Sequence, residues 1–196
     1  MNNTIGPKEW YLGFRRELQR PHWAEPLREA ALAGRLGDWT HHLTDVVVSA
    51  CEHVGWAAVA RGHLTEVLPV PKQEYLAIDV MAFPKADRPG WRRPVAVFEL
   101  ENRQELEAIS YSIWKVSVVR CSFGGVFCYR RQPEEIKDLL SGISQGVMRD
   151  RDFGASLREA KVLLVVGTRS KAEDFPDGFF KPYLWDSAVG QFRLLW

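Results

Sequence analysis

The chain has 196 residues, a formal net charge of +1, 46% hydrophobic residues and eight Trp. That composition excludes an intrinsically disordered chain, and the near-zero charge excludes a global electrostatic pull toward nucleic acid, so any such partner has to be met by a local basic patch. The length suits one substantial core and is short for two, which predicts a single domain over 1–196.

The N-terminal segment carries Trp10, Leu12, Phe14 and Leu18, then Leu27, Ala30, Ala31 and Leu32, broken at Arg20-Pro21-His22-Trp23. This spacing predicts two short helical pieces, an arm over 1–37 packed on the main body. After Gly34 and Gly37, Asp38 or Thr40 is expected to cap a helix with the stripe Leu43, Val46, Val47, Ala50 and Val54, ended by Gly55. Trp56 to Ala60, Tyr75 to Phe83 and Val95 to Leu100 read as three successive strands, separated by Pro- and Gly-bearing turns at 69–72 and 84–94.

The period then changes. Leu106, Ile109, Ile113, Val116 and Ser117 predict a helix running to near Val119. Gly124-Gly125 opens the short strand Val126-Phe127-Cys128-Tyr129, Pro133-Glu134-Glu135 starts a helix through Ile136, Leu139, Leu140 and Ile143, and Ala160 to Val166 is a further apolar strand. Strand, helix, strand implies parallel neighbours. The tail from Phe175 to Trp196 is aromatic, with Phe192, Leu194 and Trp196 alternating as in a terminal edge strand.

Cys51, Cys121 and Cys128 lack zinc-site spacing, and their odd number argues against a disulfide framework, which points to a reducing cytoplasm. The N-terminus lacks the basic-then-apolar layout of a signal peptide, and no apolar run reaches the roughly 18 residues of a membrane span. A soluble, cytoplasmic protein is expected.

The chemistry is expected where acids interrupt apolar strands. Glu99 and Glu101 close the run Val95-Ala96-Val97-Phe98, and Asp79 follows Tyr75-Leu76-Ala77-Ile78. Alternation puts Glu99 and Glu101 on one face with Cβ atoms roughly 7 Å apart, and hairpin pairing of the two strands brings Asp79 beside them. Desolvated carboxylates that repel one another need compensation, and a hard divalent cation with oxygen ligands supplies it. The alternative is a solvated edge strand carrying Glu99 and Glu101, with Asp79 in an ordinary turn hydrogen bond.

A helix, a strand, Asp on a second strand, Glu-x-Glu on a third, then a helix and a further strand resemble the PD-(D/E)XK, restriction-endonuclease-like nuclease superfamily over roughly residues 40 to 130. The resemblance implies an α/β fold with a mixed central sheet flanked by helices, here with the helical arm in front, a nuclease-like core at 38–130, and a helix, strand and aromatic tail at 131–196. It implies Mg2+ or Mn2+ held by Asp79 and Glu99, with the Leu100 carbonyl as a further ligand, and metal-assisted phosphodiester hydrolysis of nucleic acid. The sequence departs from the family at the Lys position, which is Glu101, a candidate additional ligand or water-positioning acid. Gln104, Tyr111 and Lys115 fall within about 40° of one helical direction, which makes Lys115 the candidate replacement cation. Asp45 and Glu52 are the acids available on the first core helix, on the side opposite its apolar stripe and so expected to face water.

Between the second and third strands, Lys85, Arg88, Arg92 and Arg93 flank Trp91, a combination that suits phosphate contact and base stacking or simply a solvated loop. Arg130-Arg131 offers a similar pair. The five His lack the paired spacing of a zinc protease, so His41 and His42 are expected as cap or surface residues. Gly124-Gly125 is no phosphate loop, and Cys128 reads as core. Two rivals to the nuclease are a catalytically inactive nuclease-fold module that binds nucleic acid, protein or a second copy through its aromatic surface, and a metal-free hydrolase using Glu99 and Glu101 as acid and base.

Overall fold

A computed structural model describes residues 5–150 and 161–196. Three helices come first, α1 (Pro7–Leu18), α2 (Pro21–Ala33) and α3 (Leu36–His53), followed by β1 (Trp56–Ala60), β2 (Val80–Pro84) and β3 (Ala96–Leu100). Then come α4 (Leu106–Val118), β4 (Phe123–Arg130), α5 (Glu135–Gln145), β5 (Val162–Thr168), β6 (Phe180–Asp186) and β7 (Gln191–Leu194). The strands form one seven-stranded sheet in the order β1-β2-β3-β4-β5-β6-β7. Its central pairs, β3 with β4 and β4 with β5, are parallel, and every outer pair is antiparallel. The fold is therefore mixed α/β. None of the described helices is long and apolar enough to cross a membrane.

Helices cover both faces, so the central strands read as near-continuous apolar runs. On one face α1, α2 and α3 bury Trp10, Phe14, Trp39, Val47 and Ala50 against Val80, Phe98 and Phe127. On the other, α4 and α5 bury Ile109, Ile113, Val116, Ile136 and Leu139 against Val97, Val126 and Leu164. Two adjacent glycines let β4 sit between these layers. A Cβ on Gly124 would lie 2.7 Å from Val116 Cβ of α4, and one on Gly125 would lie 2.5 Å from Phe98 Cδ1.

Several boundaries differ from expectation. The helix expected to be capped by Asp38 or Thr40 already begins at Leu36; Asp38 pairs with Arg35 at 2.7 Å, and the Thr40 hydroxyl donates to the Leu36 carbonyl at 2.9 Å. β2 starts at Val80, because Leu76 and Ala77 form a turn with φ of +56° and +52°. Neither has the freedom of glycine, so this turn holds local backbone strain immediately before Asp79. β4 extends to both sides of the expected segment, and its pairing with β5 is parallel as expected. Of the Ala160 to Val166 strand, Ala160 lies outside the described residues. The tail contributes β7 as the edge and also β6, which the sequence disguised with Pro182 opposite Val165.

Candidate functional site

Antiparallel pairing of β2 and β3 ends with Val80 opposite Phe98, and Asp79 and Glu99 each lie one residue beyond that last pair. Of the three acids, Glu99 alone lies inside a strand; Asp79 precedes β2 and Glu101 follows β3, which corrects the expectation of three strand positions. Asp79 is tied into place by the Leu100 backbone N–H, which donates to its Oδ2 at 2.7 Å. Side chains alternate along β3, with Phe98 and Leu100 in the α3-side core and Val97 in the α4-side core, so Glu99 and Glu101 project toward α4.

Helix α4 supplies the counter-charge. Lys115 Nζ lies 2.8 Å from Glu99 Oε1, and the two side chains are 18% and 6% exposed. The Lys115 ammonium also donates to the Ala77 carbonyl at 2.7 Å, so it clamps the strained turn to the acid. Gln104, expected on the same helical face, lies before the first turn of α4 and is exposed. Ser112, one turn before Lys115, places its hydroxyl 3.5 Å from Glu99 Oε2 and 3.4 Å from Glu101 Oε2. Glu101 itself is held by Arg103, whose Nε and Nη2 donate at 3.2 and 3.1 Å and whose backbone N–H donates at 2.9 Å.

The environment splits the three carboxyls. Burial, reinforced by the charge of Asp79 and opposed by Lys115, pushes Glu99 up to about 7. Burial also raises Asp79, with Glu74 and Glu101 adding to it and the Leu100 N–H and Lys115 opposing. For Glu101 burial acts in the same direction, yet the hydrogen bonds and charge of Arg103 outweigh it and hold the carboxyl below its usual range. Lys115 therefore offsets the desolvation of Glu99 without cancelling it.

Two of the acids are of the chemical type that ligates a hard divalent ion. Glu99 Oε1 is buried, and the group against it is the Lys115 ammonium at 2.8 Å, which also donates to the Ala77 carbonyl. A buried carboxylate near a second, half-buried one is a donor pair of the hard, anionic type that Mg2+ or Mn2+ takes. The three acids do not bring one oxygen each within 4.8 Å of one another. Among the described residues, the trio of His, Cys, Asp and Glu whose ligand atoms lie within 4.8 Å of one another is instead His41, His42 and Asp45.

Compared with protein-family models, with curated proteins and with solved structures, the chain matches none of them. Its site has to be read from its own geometry.

The basic hairpin belongs elsewhere. Lys85 to Arg93 join the end of β2 to the start of β3, whereas Asp79 and Glu99 sit at the start of β2 and the end of β3. Arg92 donates to the Gly90 and Arg88 carbonyls, and Trp91 is 78% exposed. Arg130 lies at the acids' end of the sheet, closing β4, with its Nη1 donating to the Tyr129 carbonyl. Cys128 is fully buried in β4, as expected for core. Of the first-helix acids, Glu52 is exposed as expected, but Asp45 is half-buried, with its Oδ1 2.7 Å from His63 Nε2.

Proposed function

We propose that the chain is a divalent-metal-dependent nuclease of the PD-(D/E)XK type, with Asp79 and Glu99 as the residues that would hold Mg2+ or Mn2+. What carries the reading is one arrangement: a buried Glu99 and a half-buried Asp79, each one residue beyond the last β2–β3 pair, with Lys115 of the next helix ion-paired to Glu99. The order helix, three-strand meander, helix, parallel strand supports the restriction-endonuclease-like assignment of the fold, and it puts Asp79 before the second strand and Glu99 on the third.

A bound ion supplies Lewis acidity toward the phosphodiester and toward water. The chain's residues supply the rest. Lys115, reached from α4 instead of β3, would replace the cation missing at position 101 and offer its charge toward a non-bridging phosphate oxygen. Glu101, kept ionised by Arg103, orients Ser112 and through it the α4 side of the site. Glu99, raised by burial to about 7, would give up a proton if an ion were held there. Arg130, at the same end of the sheet, offers a further phosphate contact.

The test is cleavage of supercoiled DNA, single-stranded DNA and RNA by the full chain with Mg2+ or Mn2+. Activity that falls at least about 100-fold in both Asp79→Asn and Glu99→Gln, the loss of several kcal/mol of transition-state stabilisation, supports the reading. A second reading, an inactive module, is favoured by the exposed Tyr111–Trp114 stack on α4, with centroids 5.8 Å apart. Binding without metal-dependent cleavage on every substrate selects it.

A further inference from the structure

Helix α3 carries a second cluster that the nuclease reading does not use. His41 and Asp45 are one turn apart, His42 and Asp45 nearly so, and one ligand atom from each of the three falls within 4.8 Å of the others. His41 Nε2 lies 3.8 Å from Asp45 Oδ2. The other Asp45 oxygen, Oδ1, is engaged at 2.7 Å by His63 Nε2. His63 is itself fixed by a backbone bridge, its N–H donating to the Ala60 carbonyl at 2.9 Å and its carbonyl accepting from Ala60 at 3.2 Å.

We propose that His41, His42 and Asp45 form a binding site for a borderline transition-metal ion of the Zn2+ class, with His63 as the residue that orients the Asp45 carboxylate. Two imidazoles and one carboxylate suit Zn2+, and the nitrogen ligands disfavour Mg2+. Tetrahedral ligands on bonds of about 2.05 Å stand about 3.3 Å apart, so His41 and Asp45 need close by only about half an ångström. A ligating carboxylate whose free oxygen is hydrogen-bonded to a fixed partner is the usual outer-shell arrangement, and His63 supplies it. Three protein ligands leave a position open to solvent, on which side His41 is 66% exposed.

This site is distinct from the one at Glu99. Helix α3 packs on the Phe98 and Leu100 face of the sheet, and Glu99 projects to the α4 face. The two approach at one end, where Asn102 Nδ2, just past Glu101, donates to the Thr40 hydroxyl.

Isothermal titration of the tag-free full chain with Zn2+, together with the visible spectrum on loading Co2+, tests the proposal. Expected is saturation at one equivalent and a four- or five-coordinate Co2+ spectrum with nitrogen ligands. Binding should be lost in the His41→Ala/His42→Ala double variant, whose folding is checked by circular dichroism, and weakened about 10- to 100-fold in His63→Ala. It should persist in Asp79→Asn and in Cys121→Ser. Absence of saturable binding, binding unchanged in the double variant, or loss in Cys121→Ser overturns it. Retention of Zn2+ by an Asp79→Asn protein that has lost cleavage separates this site's fate from that of the nuclease reading.

Discussion

At the scale of single residues, Lys115 and Glu99 make the account testable without any substrate. A buried pair broken on one side leaves an uncompensated charge at a cost of about 3 kcal/mol. Because burial raises Glu99 to about 7, its carboxylate is neutralised at mildly acidic pH. Its folded-state pKa thus stands above the unfolded value, so this group favours the folded state below that window and opposes it as pH rises through about 7. Lys115→Met should therefore lower the melting temperature markedly at pH 8 and much less at pH 5.5, read by thermal melts at both values. Equal losses at both would show that the Ala77 hydrogen bond, not the charge, is what Lys115 contributes. The same proton competes with a cation: Mn2+ affinity should rise as pH goes from about 6 to 8 and release protons as it binds, measured by titration in buffers of different ionisation enthalpy. Affinity independent of pH would exclude Glu99 as a ligand.

Elements decide whether those residues meet. Gly125 lets Phe98 lie flat against β4, with a Cβ there only 2.5 Å from its ring, and Gly124 does the same for Val116. Gly125→Ala should cost roughly 1–3 kcal/mol of overpacking, seen as a lower urea midpoint at unchanged slope; a neutral effect would mean the β3–β4 seam is looser than its packing implies. The elements that carry the site were legible in the sequence because their apolar periods are strong: α3, the three-strand meander, α4 and the parallel β4–β5 pair. The boundaries were harder. Tyr75 to Ile78 has strand composition, yet Leu76 and Ala77 adopt positive φ that no propensity signals, and β2 loses five residues to a turn. β6 was hidden by Pro182, which a ladder tolerates when its missing N–H faces no acceptor that needs it.

For the whole molecule, one seven-stranded sheet gathers at one end the start of β2 and the ends of β1, β3, β4 and β5. This is why Asp79, Glu99 and Arg130, up to 51 positions apart in sequence, share an end, and why the Lys85 to Arg93 hairpin, which resembled a phosphate grip, lies at the other. Acid positions were readable one by one; the direction each strand runs, and so which end a loop occupies, emerges only from the assembled sheet. The His41, His42, Asp45 and His63 cluster was missed for a related reason. The i, i+3 and i, i+4 spacing on α3 was visible, but Asp45 was assigned to water, and His63 joins it only through the bridge after β1. The most direct measurement of the central claim is anomalous diffraction from crystals of the full chain soaked in Mn2+. The account predicts a peak shared by the Asp79 and Glu99 carboxylates; soaked crystals without density there, or with density only at His41, His42 and Asp45, contradict it.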